Sequence, residues 1–143
     1  METRLITSHK DLEVWQRAMD LACEVYPTTA QFPREEVYGL SLQMRRSAVS
    51  IPSNIAEGAA RNSRKEFVQF LHVALGSVAE LETQLLLAER IGFLTHGGSL
   101  NTLDRVRRML IALLRSLKRT PVTRHRDPLL SKMQWVPRVT SST

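Results

Sequence analysis

Between Ser63 and Gly92 the chain places Phe67, Phe70, Leu71, Ala74, Val78, Leu81, Leu85 and Ala88 three or four positions apart, with no proline to interrupt them. That spacing lines apolar side chains along one face of an α-helix. Ser63-Arg64-Lys65-Glu66 opens the segment as a capping box, in which the serine accepts from the glutamate's amide while the glutamate reaches back. Gly92 supplies a C-terminal stop. Leu75, Leu86 and Leu87 lie off the stripe, so the apolar surface is wider than one bundle seam requires. Either the helix is deeply buried at the centre, or it carries a second interface and self-associates.

Three further segments read as helices. The first, about Asp11 to Thr29, aligns Leu12, Trp15, Met19, Ala22 and Tyr26, with Asp11 as the expected N-cap and Pro27 as a kink or end. The second starts between Glu35 and Ser41 and runs to Ala60, with Leu40, Met44, Ala48, Ile51, Ile55 and Ala59 as its core stripe. Pro52 lies inside it and predicts a kink that frees the Ala48 carbonyl. Beside that stripe runs a polar one, including Gln43, Ser47, Ser50, Asn54, Glu57 and Arg61. It is either a wet face or a shared polar seam. The fourth helix, about Ser99 to Arg119, turns Leu103, Val106, Leu110, Leu113 and Leu117 inward. Four helices with short links predict an all-α, antiparallel up-down-up-down bundle over residues 1–120. A basic tail, 121–143, is expected to be mobile, although Trp135 offers an anchor for docking on this bundle or a neighbour.

Charge is distributed unevenly along the chain, whose net charge is +6. Residues 1–89 hold nine Lys/Arg against twelve Asp/Glu, whereas residues 90–143 hold eleven Lys/Arg against Asp104 and Asp127 alone. Such asymmetry points to a polyanionic partner, or simply to solubility. Arg105, Arg108, Arg115, Lys118 and Arg119 on the fourth helix, with Arg124 and Arg126 beyond it, are the candidate nucleic-acid-binding residues.

Catalytic and metal chemistry finds little purchase. No acid is followed by a histidine three positions on, which argues against a carboxylate-bridged di-iron bundle. There is no phosphate-cradling glycine loop and no zinc spacing, so neither a metal nor a cofactor is expected. Cys23 is the single cysteine and reads as a buried structural thiol, and His72 as an ordinary surface or interface residue rather than a ligand. Arg90 and His96 match the Arg-x(4–6)-His spacing of helical-bundle ribonucleases, but the pair spans a helix end and such spacing arises by chance. The expectation is a protein that is not an enzyme. Without an apolar leader or a membrane span, it is expected in the cytoplasm.

Several blocks occur together in order: Asp11-Leu12-Glu13-Val14-Trp15-Gln16, Phe32-Pro33, Tyr38-Gly39-Leu40, Gln43-Met44-Arg45-Arg46, Ser50-Ile51-Pro52-Ser53-Asn54-Ile55-Ala56-Glu57-Gly58, and Ala74 to Gln84. They resemble the four-helix-bundle proteins encoded in 23S ribosomal RNA intervening sequences, which are related to accessory variability proteins of diversity-generating retroelements. The resemblance covers about residues 11 to 94. It implies a ring-like homopentamer and an association with RNA or DNA, and it brings no catalytic residues. Pro27 departs from the family pattern and leaves the end of the first helix in doubt.

Set beside this resemblance, Ser50, Asn54 and Glu57 are expected to satisfy the carbonyl freed by Pro52 or one another, with a binding role as the alternative. One of Arg45 and Arg46 is expected to pair with Glu80 or Glu82 across the bundle. The functional expectation is an oligomer that binds nucleic acid through basic surfaces with little sequence preference. The alternative is a protein-interaction scaffold.

Overall fold

The computed structural model describes residues 8–95 and 98–119, and these form four helices: α1 (Glu13–Ala30), α2 (Leu40–Ala60), α3 (Arg64–Arg90) and α4 (Gly98–Arg119). Short 3-10 turns at His9–Asp11 and Arg34–Glu36 lead into α1 and α2. No strand occurs among the described residues. Each helix packs on two neighbours in cyclic order, α1 on α2, α2 on α3, α3 on α4 and α4 back on α1. The protein is a four-helix bundle.

α3 is bounded as its sequence implies. The Ser63 hydroxyl accepts from the Glu66 amide at 3.1 Å and donates to the Glu66 carboxylate at 3.0 Å. At the other end Gly92 adopts φ +84°, a conformation that side chains resist. This left-handed turn lets the Phe93 amide reach the Ala88 carbonyl at 2.8 Å and the Gly92 amide reach Glu89 at 3.0 Å, the paired bonds of a Schellman motif. By length and mean hydropathy alone α3 could cross a membrane. Here its apolar face, from Phe67 to Ala88, is buried against its neighbours.

The core stripes of α2 and α4 fall where their spacing puts them. Met44, Ala48, Ile51 and Ile55 are fully buried, as are Leu103, Val106, Leu110 and Leu117. α2 is continuous through Pro52, which is itself buried.

α1 differs from expectation in two ways. Its core face is Val14, Ala18, Leu21 and Val25; of the expected stripe Leu12 and Ala22 are buried and Trp15 is half-buried, while Met19 and Tyr26 are 40% and 47% exposed. Both stripes recur at helical spacing one position apart, and the compact aliphatic set occupies the bundle centre. The bulkier set, with the polar tips of Trp15 and Tyr26, lies along the edge. Second, Asp11 does not cap α1. Its carboxylate accepts from the Ser8 amide at 3.2 Å and closes the preceding turn, and Leu12 holds the N-cap position. The end of α1 is close to expectation, since the helix continues past Pro27 to Ala30, one residue beyond Thr29. The hydroxyls of Thr28 and Thr29 donate to the carbonyls of Glu24 and Val25, both at 2.8 Å, and tie down that last turn.

Side-chain pairs fix the relative directions. Ser50 meets Ser77 while Gly58 lies against Phe67 and Phe70, so α2 and α3 run in opposite senses. Arg107 meets Glu82, and Ser99 and Leu100 line a pocket with Leu85 and Glu89, so α3 and α4 also oppose each other.

Candidate nucleic-acid interface

The polar residues of α2 divide between its interior and its surface. Ser50 and Ser77 hydroxyls pair at 2.8 Å across the α2–α3 contact, and the Asn54 amide donates to both the carbonyl and the hydroxyl of Ser50. Ser47 is buried and donates to the Gln43 carbonyl at 3.0 Å. These residues form a seam whose hydrogen bonds are made within the bundle. Asn54 serves the Ser50 carbonyl rather than that of Ala48. Glu57 is not in the seam, because it faces outward and pairs with Arg61 at 3.1 Å.

The expected arginine pair across the bundle also has different members. Arg45 donates to the Thr29 hydroxyl at 2.9 Å and the Tyr26 carbonyl at 3.4 Å, with its guanidinium 4.9 Å from the Tyr26 ring centre. Arg46 is exposed. Glu82 is taken instead by Arg107, which also holds Asp104 at 3.3 Å, and Glu80 accepts from Gln84. Arg107 was not among the candidate residues, and the sequence gives no sign that its partner lies 25 positions away.

The α4 cations fall into two groups. Arg105 pairs with Glu13 at 3.3 Å, and Arg108 pairs with Asp104 at 3.1 Å. Their charge is locally balanced. Arg115, Lys118 and Arg119 are exposed, and none has an acidic partner among the described residues. Arg119 donates to the Arg115 carbonyl at 3.3 Å, which holds the helix end. Cations suit this end of a helix, where the backbone dipole is negative. Arg124, Arg126, Trp135 and His96 lie outside the described residues.

A second surface was not anticipated. Trp15, Met19, Cys23 and Tyr26 of α1 face Val49 and Pro52 of α2 across a groove of about 350 Å³. Cys23 is exposed there rather than buried. The signal was the wrongly assigned stripe of α1 itself. Val73, Leu86 and Leu87 of α3 and Ile91 at its C-cap are also exposed, at 44–52%, so some apolar surface does lie off its core stripe. His72 is exposed. Among the described residues no three His, Cys, Asp or Glu side chains cluster as metal ligands.

Residues 10–112 match the 23S rRNA-intervening sequence protein family. The chain belongs to that family. Among solved structures, it is similar to a protein of unknown function from the S23 ribosomal protein family of Bacteroides thetaiotaomicron. The two share 25% identity over 71% of this chain and 95% of that one, with a TM-score of 0.66. No curated protein matches this sequence.

Proposed function

We propose that this 23S rRNA-intervening sequence family protein is a non-enzymatic, cytoplasmic homo-oligomer that binds nucleic acid through basic surfaces with little sequence preference. The observation that carries the reading is the division of cations on α4. Acids of α1, α3 and α4 itself neutralise its N-terminal half, while Arg115, Lys118 and Arg119 remain exposed with no acidic partner among the described residues. The basic residues that follow in the sequence, Arg124 and Arg126 among them, extend the same charge. Exposed cations of this kind bind phosphates by displacing condensed counterions, so affinity falls steeply with salt. Repetition around a ring, as the family resemblance implies, would add weak contacts into useful avidity.

Titrating labelled RNA and DNA at low and physiological salt tests this reading. Binding that weakens at least tenfold between about 50 and about 200 mM salt is expected. No binding at the lower salt overturns it. Light scattering coupled to size exclusion tests the oligomer, and a monomer at micromolar concentration removes the avidity argument.

The apolar groove between α1 and α2 favours a second reading, a scaffold whose target is another protein. A partner captured from lysate that stays bound after nuclease treatment, and is released by substitutions at Met19 and Val49, would support it.

A further inference from the structure

The groove between α1 and α2 leaves apolar side chains open to solvent. Met19, Tyr26 and Val49 are 40–47% exposed, and the lining carries no carboxylate, ammonium or guanidinium group. Two aromatic contacts mark its ends. At one, the His9 ring meets Trp15 edge-on with centres 5.2 Å apart, and at the other the Arg45 guanidinium lies 4.9 Å from the Tyr26 ring centre. At about 350 Å³ the groove has room for a few side chains. A stable contact between separate chains needs about 800 Å² on each partner. An occupant held by this groove alone therefore has to be tethered.

The chain itself supplies such a segment. Five of the eight positions from Leu129 to Val136 are apolar, namely Leu129, Leu130, Met133, Trp135 and Val136, and Lys132 is the single charge among them. An apolar cluster in a polar tail gains free energy by leaving water. α4 delivers this tail to the right end of the bundle. Thr102 bonds Glu24 at 2.9 Å and Arg105 meets Glu13 at 3.3 Å, so α4 runs against α1 and Arg119 stands at the end where α1 begins. His9 and Trp15 mark the groove's end on that same side. Arg119 lies about 18–30 Å along the axis from Met19, according to which of the two pairs sets the level. Rounding α1 adds about one helix diameter, ~10–12 Å. Met133 is fourteen residues beyond Arg119, and an extended chain of that length spans up to about 46 Å. The groove is within reach of the chain's own tail.

We propose that the segment from Leu129 to Val136 docks in the α1–α2 groove of its own bundle, with Met133 and Trp135 as its anchors. The occupant is this chain's tail, not a second copy and not another protein. A short flexible tether gives an effective concentration in the millimolar range, so a contact of only millimolar intrinsic affinity is occupied about half of the time. Docking so evenly balanced adds little to global stability. The inference stands apart from the nucleic-acid reading above. A protein partner at this groove would have to displace the tail.

Trp135 reports the docking, because Trp15→Phe in the full chain leaves it the sole tryptophan. Acrylamide quenching of its fluorescence is compared with that of two further variants in the same background, each with its helix content checked by circular dichroism. Val49→Lys/Ala56→Lys puts charge into the groove, and Leu130→Ser/Met133→Ser strips the tail of apolar side chains. The quenching constant of the parent should be about half that of either variant, as half occupancy requires. The tail variant alters no residue of the bundle, so a groove variant that fails to fold leaves the test in force. A short bis-maleimide then asks whose tail is bound, by linking Cys23, which is exposed on the groove, to Met133→Cys. The expected product runs as a single chain on a denaturing gel. Cross-links between chains, or none to Cys23, overturn the proposal. So does quenching of Trp135 equal to that of free N-acetyltryptophanamide, or quenching that a folded groove variant leaves unchanged. None of these readouts involves nucleic acid, so failure here leaves the nucleic-acid reading untouched.

Discussion

The two sides of α2 meet their neighbours in opposite ways. Toward α3 the contact is close and lined by small residues: a Cβ built on Gly58 would stand 2.6 Å from Cβ of Phe70, and the Ser50 and Ser77 hydroxyls touch at 2.8 Å. Toward α1 the residues are larger and more apolar, yet Met19 and Val49 remain 40% and 42% exposed beside an open groove. Helix separation follows the size of the side chains at the contact rather than their hydrophobicity. A glycine and a pair of serines line the close contact, and bulky residues line the open groove.

Breaking the close contact should cost most. Gly58→Val places branched carbons against Phe67 and Phe70, where the nearest atoms are Phe70 Cβ, Phe67 Cδ2 and the Phe67 carbonyl oxygen, and a Cβ or a backbone oxygen cannot swing away. Unfolding by urea should show a loss of about 2–3 kcal/mol, the upper range for overpacking a core. A stable, unshifted variant would mean that α2 and α3 slide apart freely. Next comes Ser50→Ala, which removes the partner of a buried Ser77 hydroxyl and one acceptor of Asn54. The same unfolding measurement should register about 1–2 kcal/mol. Adding Ser77→Ala should cost less than the two single losses combined, because no orphaned hydroxyl remains. On the open side, Met19→Ser with Val49→Ser should move stability by no more than about 0.5 kcal/mol, as expected at exposed sites. A loss beyond 1 kcal/mol would show that the groove is a structural contact, and the contrast would collapse.

Much of the fold was legible because local signals agreed. Ser63 and Gly92 bracket α3 with two different chemistries, a hydroxyl cap and a left-handed turn, and the apolar spacing between them points the same way. α1 was harder because it carries two apolar stripes one position apart, and periodicity alone does not rank them. Val14 and Ala18 go in while Met19 stays out, a choice made by tertiary packing rather than by the helix's own pattern. The candidate site was legible as a count of charges but not as a surface. Arg105 and Glu13 are 92 positions apart, so their neutralisation depends entirely on the antiparallel return of α4 along α1.

Cys23 is the chain's one thiol, and it opens onto the groove between α1 and α2. The molecule therefore comes with a single, uniquely addressable attachment point. A polarity-sensitive dye coupled there would register any occupant of the groove as a colour change, and a spin label would show by its dipolar broadening whether a second copy lies nearby. The surface whose occupant is least defined is thus the one where a probe can be installed without altering the sequence.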